Sequence, residues 1–360
     1  MIDPSVLVIG GLILIVLVAA FSRRTGIASP LILLVVGVAV GYLPGVPAVT
    51  VPHEWILAGV LPPLLYASAV NLPTADIRRN IQSIASLSIV LVLVSTAITG
   101  WLLFVIFKDL NIFAALAVGA VISPTDAVAA TAIAKRQGLP ERVVTVLEGE
   151  SLVKDATALV LLRSFTAAAG AGAVNLALVG GQFLYAVVGA LAVGLVAGFA
   201  TVALRARLSD PVLTTTISFV VPFIAFLPAE RLGASGVLAT VVAGLVTGAR
   251  GGHRFDASQR VSDHTNWRTV QFVLEHAVFL VMGLEFRHLV EGLAKNGDSL
   301  ALAGGVGLLL ALLLFAVRAL YLAAELPVLR SRDRRALSRD QDLKQRAKRL
   351  AAAEPTSERH

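Results

Sequence analysis

Long apolar stretches alternate with short polar ones along nearly the whole chain. A helix of about 18 or more apolar residues is long enough to cross the roughly 30 Å hydrocarbon core of a bilayer. The pattern therefore predicts an all-α polytopic membrane protein with about eleven transmembrane helices. The predicted spans are 6–22, 29–43, 55–71, 81–107, 112–134, 142–164, 173–203, 212–229, 233–250, 267–289 and 299–326.

Composition agrees with a membrane protein. Of the 360 residues, 57% are hydrophobic and 15% are charged, against about 45–50% and 25% in soluble domains. We predict one integral membrane domain over 1–329 and a basic cytoplasmic tail over 330–360. The net charge of +7 comes from loops and tail, so it does not indicate a nucleic-acid partner. The absence of cysteine excludes disulfides, thiolate metal sites and cysteine nucleophiles.

The distribution of basic residues between the loops predicts the orientation. Loops after odd-numbered spans carry most of the Lys and Arg, and such loops face the cytoplasm. The residues concerned are Arg23, Arg24, Arg78, Arg79, Lys135, Arg136, Arg142, Arg205, Arg207, Arg250, Arg254, Arg260 and Arg268. The pattern predicts a multi-pass protein of the cell membrane with its N-terminus outside and its C-terminus in the cytoplasm.

Two carboxylates lie near the middle of predicted spans, Asp126 in the fifth and Asp155 in the sixth. An ionisable group at the centre of a bilayer costs roughly 2.5–3.5 kcal/mol on insertion scales, so such groups are rare and usually functional. The pair indicates a site that binds a cation or carries a proton. It favours a transporter over a membrane anchor.

The fifth span contains a proline near its middle. Pro124 removes one helical hydrogen bond and clashes with the carbonyl four residues earlier, so we predict a broken helix. Such breaks are tolerated at membrane depth where the freed backbone lines a cavity or is buried in protein. The carbonyl of Thr125 and the carboxylate of Asp126 could then bind a hard cation. A simple proline kink with a hydrogen-bonded Asp126 is the alternative.

The sixth span places its polar residues on two neighbouring faces. Ser151 and Asp155 are four residues apart and share one face, and Glu150 and Lys154 share the adjacent face. A desolvated carboxylate holds its proton more tightly than in water, so Na⁺ and H⁺ could compete for Asp155. The alternative is a structural salt-bridge network, which is our interpretation for Glu150. Arg318 in the last span is its candidate partner.

A histidine also lies within a predicted span. His276 is typical of a hydrogen-bonded packing residue, and a hydrolytic pair with Ser151 is a remote alternative. No Gly-x-Ser-x-Gly or His-Glu-x-x-His motif occurs in the sequence. We do not expect an enzyme.

The motifs around the two aspartates resemble those of the Na⁺/H⁺ exchanger family, the electroneutral branch of the cation:proton antiporters. The resemblance covers about residues 1–326 and is carried by segments 123–129, 147–152, 155–160, 229–232, 235–239, 243–245 and 283–284. It implies an inverted-repeat fold and a homodimer with a dimerisation part and a core part that moves like an elevator.

The resemblance also implies roles for individual residues. Asp155 matches the ion- and proton-binding aspartate, and Glu150 matches an acid that pairs with a later arginine, here Arg318. The residues implied to hold Na⁺ are Asp155, Asp126, Ser151 and Thr125. No cofactor is implied beyond the transported Na⁺ and H⁺.

Two features depart from the family pattern. Lys154 stands where the family has asparagine, which makes it a possible modulator that pairs with Asp155, Asp126 or Glu150. The chain also becomes polar at Arg330 and contains no Gly-x-Arg-Gly segment. We therefore expect a C-terminal truncation that lacks the last two helices of the family.

These observations lead to one principal functional hypothesis. The chain is expected to be a secondary active transporter that exchanges a monovalent cation, with Na⁺ favoured over K⁺ or Li⁺, for H⁺ by alternating access. Cation and proton would compete for Asp155, and the exchange would serve pH homeostasis. The alternative is a transport-inactive truncated or regulatory membrane protein of the same fold, which Lys154 and the missing helices favour.

Overall fold

The computed structural model describes residues 4–44, 52, 54–73, 84–124, 130–131, 133–134, 137–171, 176–208, 210–295 and 299–324. Every regular element in these ranges is helical, and eleven helices account for nearly all of them. They are α1 (Pro4–Thr25), α2 (Ser29–Gly41), α3 (Trp55–Asn71), α4 (Ser86–Ile106), α5 (Ile112–Ile122), α6 (Glu141–Ala171), α7 (Leu176–Arg205), α8 (Pro211–Arg231), α9 (Gly236–Arg254), α10 (Ala257–Lys295) and α11 (Leu300–Ala324).

The helices correspond one to one with the eleven predicted spans. By length and composition, α1, α4, α7, α8, α10 and α11 could each cross a membrane alone. The shorter helices α2, α3, α5 and α9 are also apolar, whereas α6 carries the charged cluster of the sixth span. The predicted all-α polytopic fold is confirmed.

Short polar residues cap the start of α5 and of α8. The Asn111 side chain accepts a hydrogen bond from the Phe113 amide at 2.8 Å at the start of α5. Asp210 does the same for Val212 at 2.7 Å at the start of α8. Such caps satisfy amides that have no partner within the helix. The ends of these membrane helices are therefore encoded by local sequence as well as by apolarity.

Two groups of helices have distinct buried cores, and α6 contributes to both. In one group, α4, α5 and α6 share a small-residue core of Val92, Ala120, Ala158 and Leu161. The other group has a core to which α3, α7, α8, α9 and α10 contribute Tyr66, Ala67, Ala197, Val221, Ala225, Ala243 and Trp267. The opposite side of α6 packs on this second group through Leu152 and Ala156. A residue on α6 therefore lies close to the junction of the two groups.

Glycines bring α2 and α10 into backbone contact. A Cβ atom at Gly37 would lie 2.6 Å from the Leu280 carbonyl oxygen, and one at Gly41 would lie 3.1 Å from that of Leu284. Small residues allow such approach between membrane helices, where dispersion contacts replace the hydrophobic effect as the main attraction. The α2–α10 pair is therefore closely packed.

Contacts between helix ends agree with the predicted alternation. The end of α7 meets the start of α10 through Arg205 and Asp263, and the end of α3 meets the same region through an Asn71–His264 contact of 3.0 Å. At the opposite ends, Arg287 of α10 donates a 3.2 Å hydrogen bond to the Gly41 carbonyl of α2. Ends that the alternation places on the same side thus meet each other. Which side faces the cytoplasm stays a prediction.

The chain divides into two compact units, Met1–Gly307 and Leu308–His360. The described part of the second unit is the C-terminal portion of α11, 308–324, in which Arg318 is half-buried. The predicted basic tail, 330–360, lies outside the described residues. The domain boundary at residue 329 stays a prediction.

Candidate ion-binding site

The helix of the fifth span ends where the proline predicts. Helix α5 stops at Ile122, and Ser123 and Pro124 follow outside it. The buried Ser123 hydroxyl donates a 3.2 Å hydrogen bond to the Val92 carbonyl of α4, which holds this end of the helix. The predicted cation ligands Thr125 and Asp126 come next in the chain and lie outside the described residues. Their roles stay predictions.

A close approach of α4 fixes the position of α5. A Cβ atom at Gly119 would lie 2.8 Å from both the Thr96 carbonyl oxygen and the Thr99 hydroxyl, and one at Gly100 would lie 2.8 Å from the Leu116 Cα. The two backbones therefore touch just before the chain leaves the helix. This packing anchors the segment that leads to Pro124.

Helix α6 carries the central carboxylate of the candidate site. Ser151 and Asp155 are both half-buried, one helical turn apart on the same face. The neighbouring Leu152 and Ala156 are buried in the core that joins the two helix groups. The face with the hydroxyl and the carboxylate thus lies next to the junction of these groups.

The start of α4 is bonded to α6 at the level of this site. The hydroxyl of Ser88, which is fully buried, donates a 3.0 Å hydrogen bond to the backbone carbonyl of Glu150. Ser88 belongs to a π-helical turn, Ser86–Val90, a rare geometry that is frequent at functional sites. The contact fixes α4 relative to α6 one turn away from Asp155.

The adjacent face of α6 holds a buried ion pair. Lys154 Nζ lies 3.1 Å from Glu150 Oε1, and the two side chains are only 2% and 3% exposed. The two formal charges cancel. The remaining formal negative charge of segment 148–155 comes from Glu148 and Asp155, which are both half-buried. The predicted Glu150–Arg318 pair involves a residue of the second compact unit and stays a prediction.

Charge and ligand type together define what this part of α6 can do chemically. A carboxylate and a hydroxyl on one face provide oxygen ligands, which hard cations prefer. The same carboxylate can instead take a proton. The described residues are therefore compatible with a site for one monovalent cation or one proton.

The intramembrane histidine has a packing role. His276 Nε2 lies 2.7 Å from the Ser29 hydroxyl of α2, and Nδ1 lies 2.7 Å from the Phe272 carbonyl. Both ring nitrogens are thus engaged within the α2–α10 pair. The arrangement matches the predicted hydrogen-bonded packing residue and does not form a hydrolytic pair with Ser151.

Sequence reasoning missed an ion pair between α6 and α8. The two terminal nitrogens of Arg163, Nη1 and Nη2, donate 2.5 Å hydrogen bonds to the Glu230 carboxylate, and Glu230 Oε1 also accepts a 2.8 Å bond from the Gly236 amide. A cavity of about 580 Å³ lies beside the pair. Its lining includes Arg163, Ser164, Gln182, Tyr185, Ala234 and Ser235. An arginine eight residues after Asp155 in an apolar helix was the available signal.

A second buried ion pair joins the end of α7 to the start of α10, at the end of the second group opposite to Glu230. The Arg205 side chain is 0% exposed, is paired with Asp263, and lies 4.4 Å from the centre of the Phe255 ring. From the sequence, Arg205 counted only as a basic loop residue. Its partner follows 58 positions later, a separation at which no periodic pattern reveals a contact.

Comparison with known proteins places this arrangement in a family. The family described as "Sodium/hydrogen exchanger, transmembrane" matches residues 11–339. The chain belongs to the sodium/hydrogen exchanger family. An uncharacterized Na⁺/H⁺ exchanger of Mycobacterium tuberculosis is 33% identical over 301 residues, which is 82% of this chain and 55% of that protein. The sodium, potassium, lithium and rubidium/H⁺ antiporter of Bacillus subtilis is 29% identical, over 73% of this chain and 40% of that protein.

The fold is shared with a sodium proton antiporter of known structure. The sodium proton antiporter MjNhaP1 from Methanocaldococcus jannaschii superposes with a TM-score of 0.69 at 20% identity, over 87% of this chain and 75% of that chain. The chain spans about half the length of the curated relatives it matches. Membership confirms the predicted family, the antiporter fold and a multi-pass membrane protein, and the family is one of transporters rather than enzymes.

Proposed function

We propose that this protein is a secondary active transporter that exchanges a monovalent cation for H⁺ across the membrane, with cation and proton competing for Asp155. The observation that carries the proposal is the position of Asp155. It is a half-buried carboxylate, one turn from the Ser151 hydroxyl, on the helix that contributes to the cores of both helix groups. A charged group at such a depth is retained for function far more often than for stability.

Competition for one carboxylate gives exchange when the site opens to one side of the membrane at a time and changes sides only while it is occupied. When the site holds the cation it excludes the proton, and the reverse is equally true, so each ion leaves the site as the other arrives. If the site opens to one side of the membrane at a time, a gradient of either ion then drives the other in the opposite direction. The position of α6 suits such alternating access, because movement between the two groups changes which side the Asp155 face meets.

The proposed ligands are Asp155 and Ser151 on α6, together with Thr125 and Asp126 beyond the end of α5. Oxygen ligands favour hard cations such as Na⁺. The relatives support Na⁺ first, since several are named Na⁺/H⁺ exchangers, and the name of the Bacillus subtilis antiporter also includes potassium, lithium and rubidium. Na⁺ is therefore the proposed ion, with K⁺ and Li⁺ as the competitors to test.

The assembly and topology are part of the same proposal. We propose a homodimer in the cell membrane, with the N-terminus outside, the C-terminus in the cytoplasm, and a role in pH homeostasis. The topology is supported by the bias of basic residues between loops and by the contacts between helix ends on each side, and the homodimer is what the resemblance to the family implies. Lipid is then the surrounding partner of the exposed apolar helix faces.

One observation favours the alternative, a transport-inactive member of the family. Lys154 is a lysine buried directly beside the proposed site, where it could cancel the charge that the cation needs. Its pairing with Glu150 argues for the active form. The two functions differ in whether purified protein moves protons at all.

Ion-coupled proton flux in proteoliposomes tests the proposal. Protein reconstituted with a pH-sensitive dye inside should alkalinise or acidify the lumen when Na⁺ is added, in the direction set by the imposed gradient. K⁺, Li⁺ and choline added at equal concentration give the ion preference and the background. Choline-level flux with every alkali cation would overturn the exchanger and leave the transport-inactive alternative.

A further inference from the structure

Glu150 and Lys154 directly precede the two proposed ligands on α6, Ser151 and Asp155. Lys154 Nζ is 3.1 Å from Glu150 Oε1 on the preceding turn, and the lysine side chain is 2% exposed. Asp155 follows Lys154 directly but projects about 100° away around the helix. The ammonium thus lies on the Glu150 face of the helix, and the Asp155 carboxylate projects from the adjacent face.

A buried ammonium group must have a counterion. Removing a charge from water costs several kcal/mol, and only a well-placed opposite charge offsets this cost. Lysine is also a compact charge on a flexible four-carbon stem, so it can reorient toward another carboxylate if its partner is lost. Asp155, on the adjacent residue of the same helix, would then be within reach.

The surroundings of the pair hold it in place. Glu150 sits where its backbone carbonyl accepts the Ser88 hydrogen bond from α4, and Gly149 packs against Ile84 at the same level. Leu152 packs on the other helix group. The backbone that carries the carboxylate is therefore fixed from both sides, which favours a single position for its side chain.

We propose that Glu150 is a positioning residue that binds the Lys154 ammonium and so keeps this positive charge from competing with the cation at Asp155. The inference rests on the proposed function, because it concerns the same site. It assigns Glu150 a part in cation affinity without contact to the ion. It also explains how a lysine can lie beside a cation site without blocking it.

The proposal makes a specific kinetic statement. Neutralising Glu150 releases the ammonium toward Asp155, which raises the apparent KM for Na⁺ at least tenfold while the maximal rate at saturating Na⁺ changes little. Removing Lys154 together with Glu150 takes away the competing charge. The KM then returns to within about threefold of the wild-type value.

The experiment compares wild type, Glu150→Gln, Glu150→Asp and the double variant Glu150→Gln/Lys154→Gln in the same proteoliposome assay. Glu150→Asp keeps the negative charge and should stay within a few-fold of wild type. Glu230→Gln is the matched control, since it also removes a carboxylate from an ion pair but frees a half-exposed arginine far along α6. Gel filtration in detergent reports whether each variant is folded.

Several outcomes would overturn the proposal. A wild-type KM in Glu150→Gln would mean that the glutamate does not restrain the ammonium, and a KM in the double variant as high as in Glu150→Gln would mean that Lys154 is not the competing group. If Glu150→Gln does not fold, the double variant tests whether Lys154 is restrained in the wild type. A KM in the double variant at least tenfold below that of wild type would show that Lys154 already competes at the site, which would overturn the proposal.

Failure of the proposed function is a separate result. If wild type moves no protons, the exchanger fails, and the inference about Glu150 is then tested by Na⁺ binding alone. Na⁺ should raise the Tm of wild type and of the double variant at concentrations that leave Glu150→Gln unchanged. Equal Na⁺ effects on all three would overturn it.

Discussion

Arg163 and Glu230 form a bidentate ion pair that links the C-terminal half of α6 to the end of α8. Nη1 and Nη2 of Arg163 each lie 2.5 Å from a carboxylate oxygen, and Nη1 also donates a 3.4 Å hydrogen bond to the Ala234 carbonyl. Because α6 carries Asp155 and α8 belongs to the other helix group, the pair connects the candidate site to the opposite group at one end of the molecule. The cavity beside the pair is lined by Arg163 itself and by Ala234 and Ser235, which follow the end of α8.

Breaking this pair should weaken the contact between α6 and α8 beside the cavity without unfolding the protein. Arg163 is 53% exposed and Glu230 23% exposed, and exposed pairs contribute only about 0–1 kcal/mol. We expect Arg163→Gln to leave the Tm nearly unchanged but to speed the reaction of a cysteine at Ser164, a buried residue that lines the cavity, with an impermeant maleimide several-fold. The chain has no native cysteine, so the background is clean. Equal labelling rates with and without Arg163→Gln would show that the ion pair does not hold α6 and α8 together beside the cavity.

The buried pair at the other end should matter more for stability. Arg205 is 0% exposed and Asp263 13% exposed, and removing one partner of a buried pair typically costs about 3–5 kcal/mol. We expect Asp263→Asn to lower the Tm in detergent markedly. Glu291→Gln, which breaks the exposed Arg287–Glu291 pair but keeps the Arg287–Gly41 hydrogen bond, is the control and should change it little. Similar Tm values for the two variants would contradict this account.

The α2–α10 contact gives a second stability prediction. A Cβ atom at Gly283 would lie 2.9 Å from both the Gly37 Cα and the Val38 amide nitrogen, so Gly283→Ala must push the helices apart. We expect a lower Tm and less folded protein. Gly292→Ala, on the same helix with no atom within 4 Å, should be neutral or raise stability by up to about 1 kcal/mol. A harmless Gly283→Ala would show that the close packing is not required.

The proposed site residue gives the corresponding functional prediction. Asp155→Asn removes the charge with almost no change of shape, so exchange should be lost while expression and gel-filtration behaviour are kept. Asp109→Asn, which changes an exposed loop carboxylate, is the matched control and should exchange normally. Na⁺-dependent proton flux in everted vesicles is the measurement. Persistent flux in Asp155→Asn would remove Asp155 from its proposed role.

Apolar length predicted the helices well and their ends less well. The second predicted span, 29–43, is observed as Ser29–Gly41, whereas the tenth, 267–289, is observed as Ala257–Lys295. Hydropathy marks the part of a helix that lipid can surround, but a helix continues through polar residues such as Gln259 when its backbone bonds are satisfied. The fifth helix ends at Ile122 instead of 134, as the proline at 124 requires.

Side-chain partners were predictable only over short separations. Glu150 and Lys154 are four residues apart on one helix, so their pairing was among the alternatives that the sequence offered. Arg163 and Glu230 are separated by 67 residues and belong to different helices. Such contacts depend on how the helices pack, which a single sequence does not encode in any local pattern. The same limit applies to the partner of Arg318.

The central claim is that Na⁺ and H⁺ compete for the Asp155 carboxylate. The most direct test is the apparent KM for Na⁺ measured against pH in proteoliposomes, with the maximal rate recorded at saturating Na⁺. One proton that competes for one site should raise the KM by about tenfold per pH unit on the acidic side, while the maximal rate at saturating Na⁺ stays constant. A KM that does not change with pH, with only the maximal rate falling in acid, would contradict competition at Asp155.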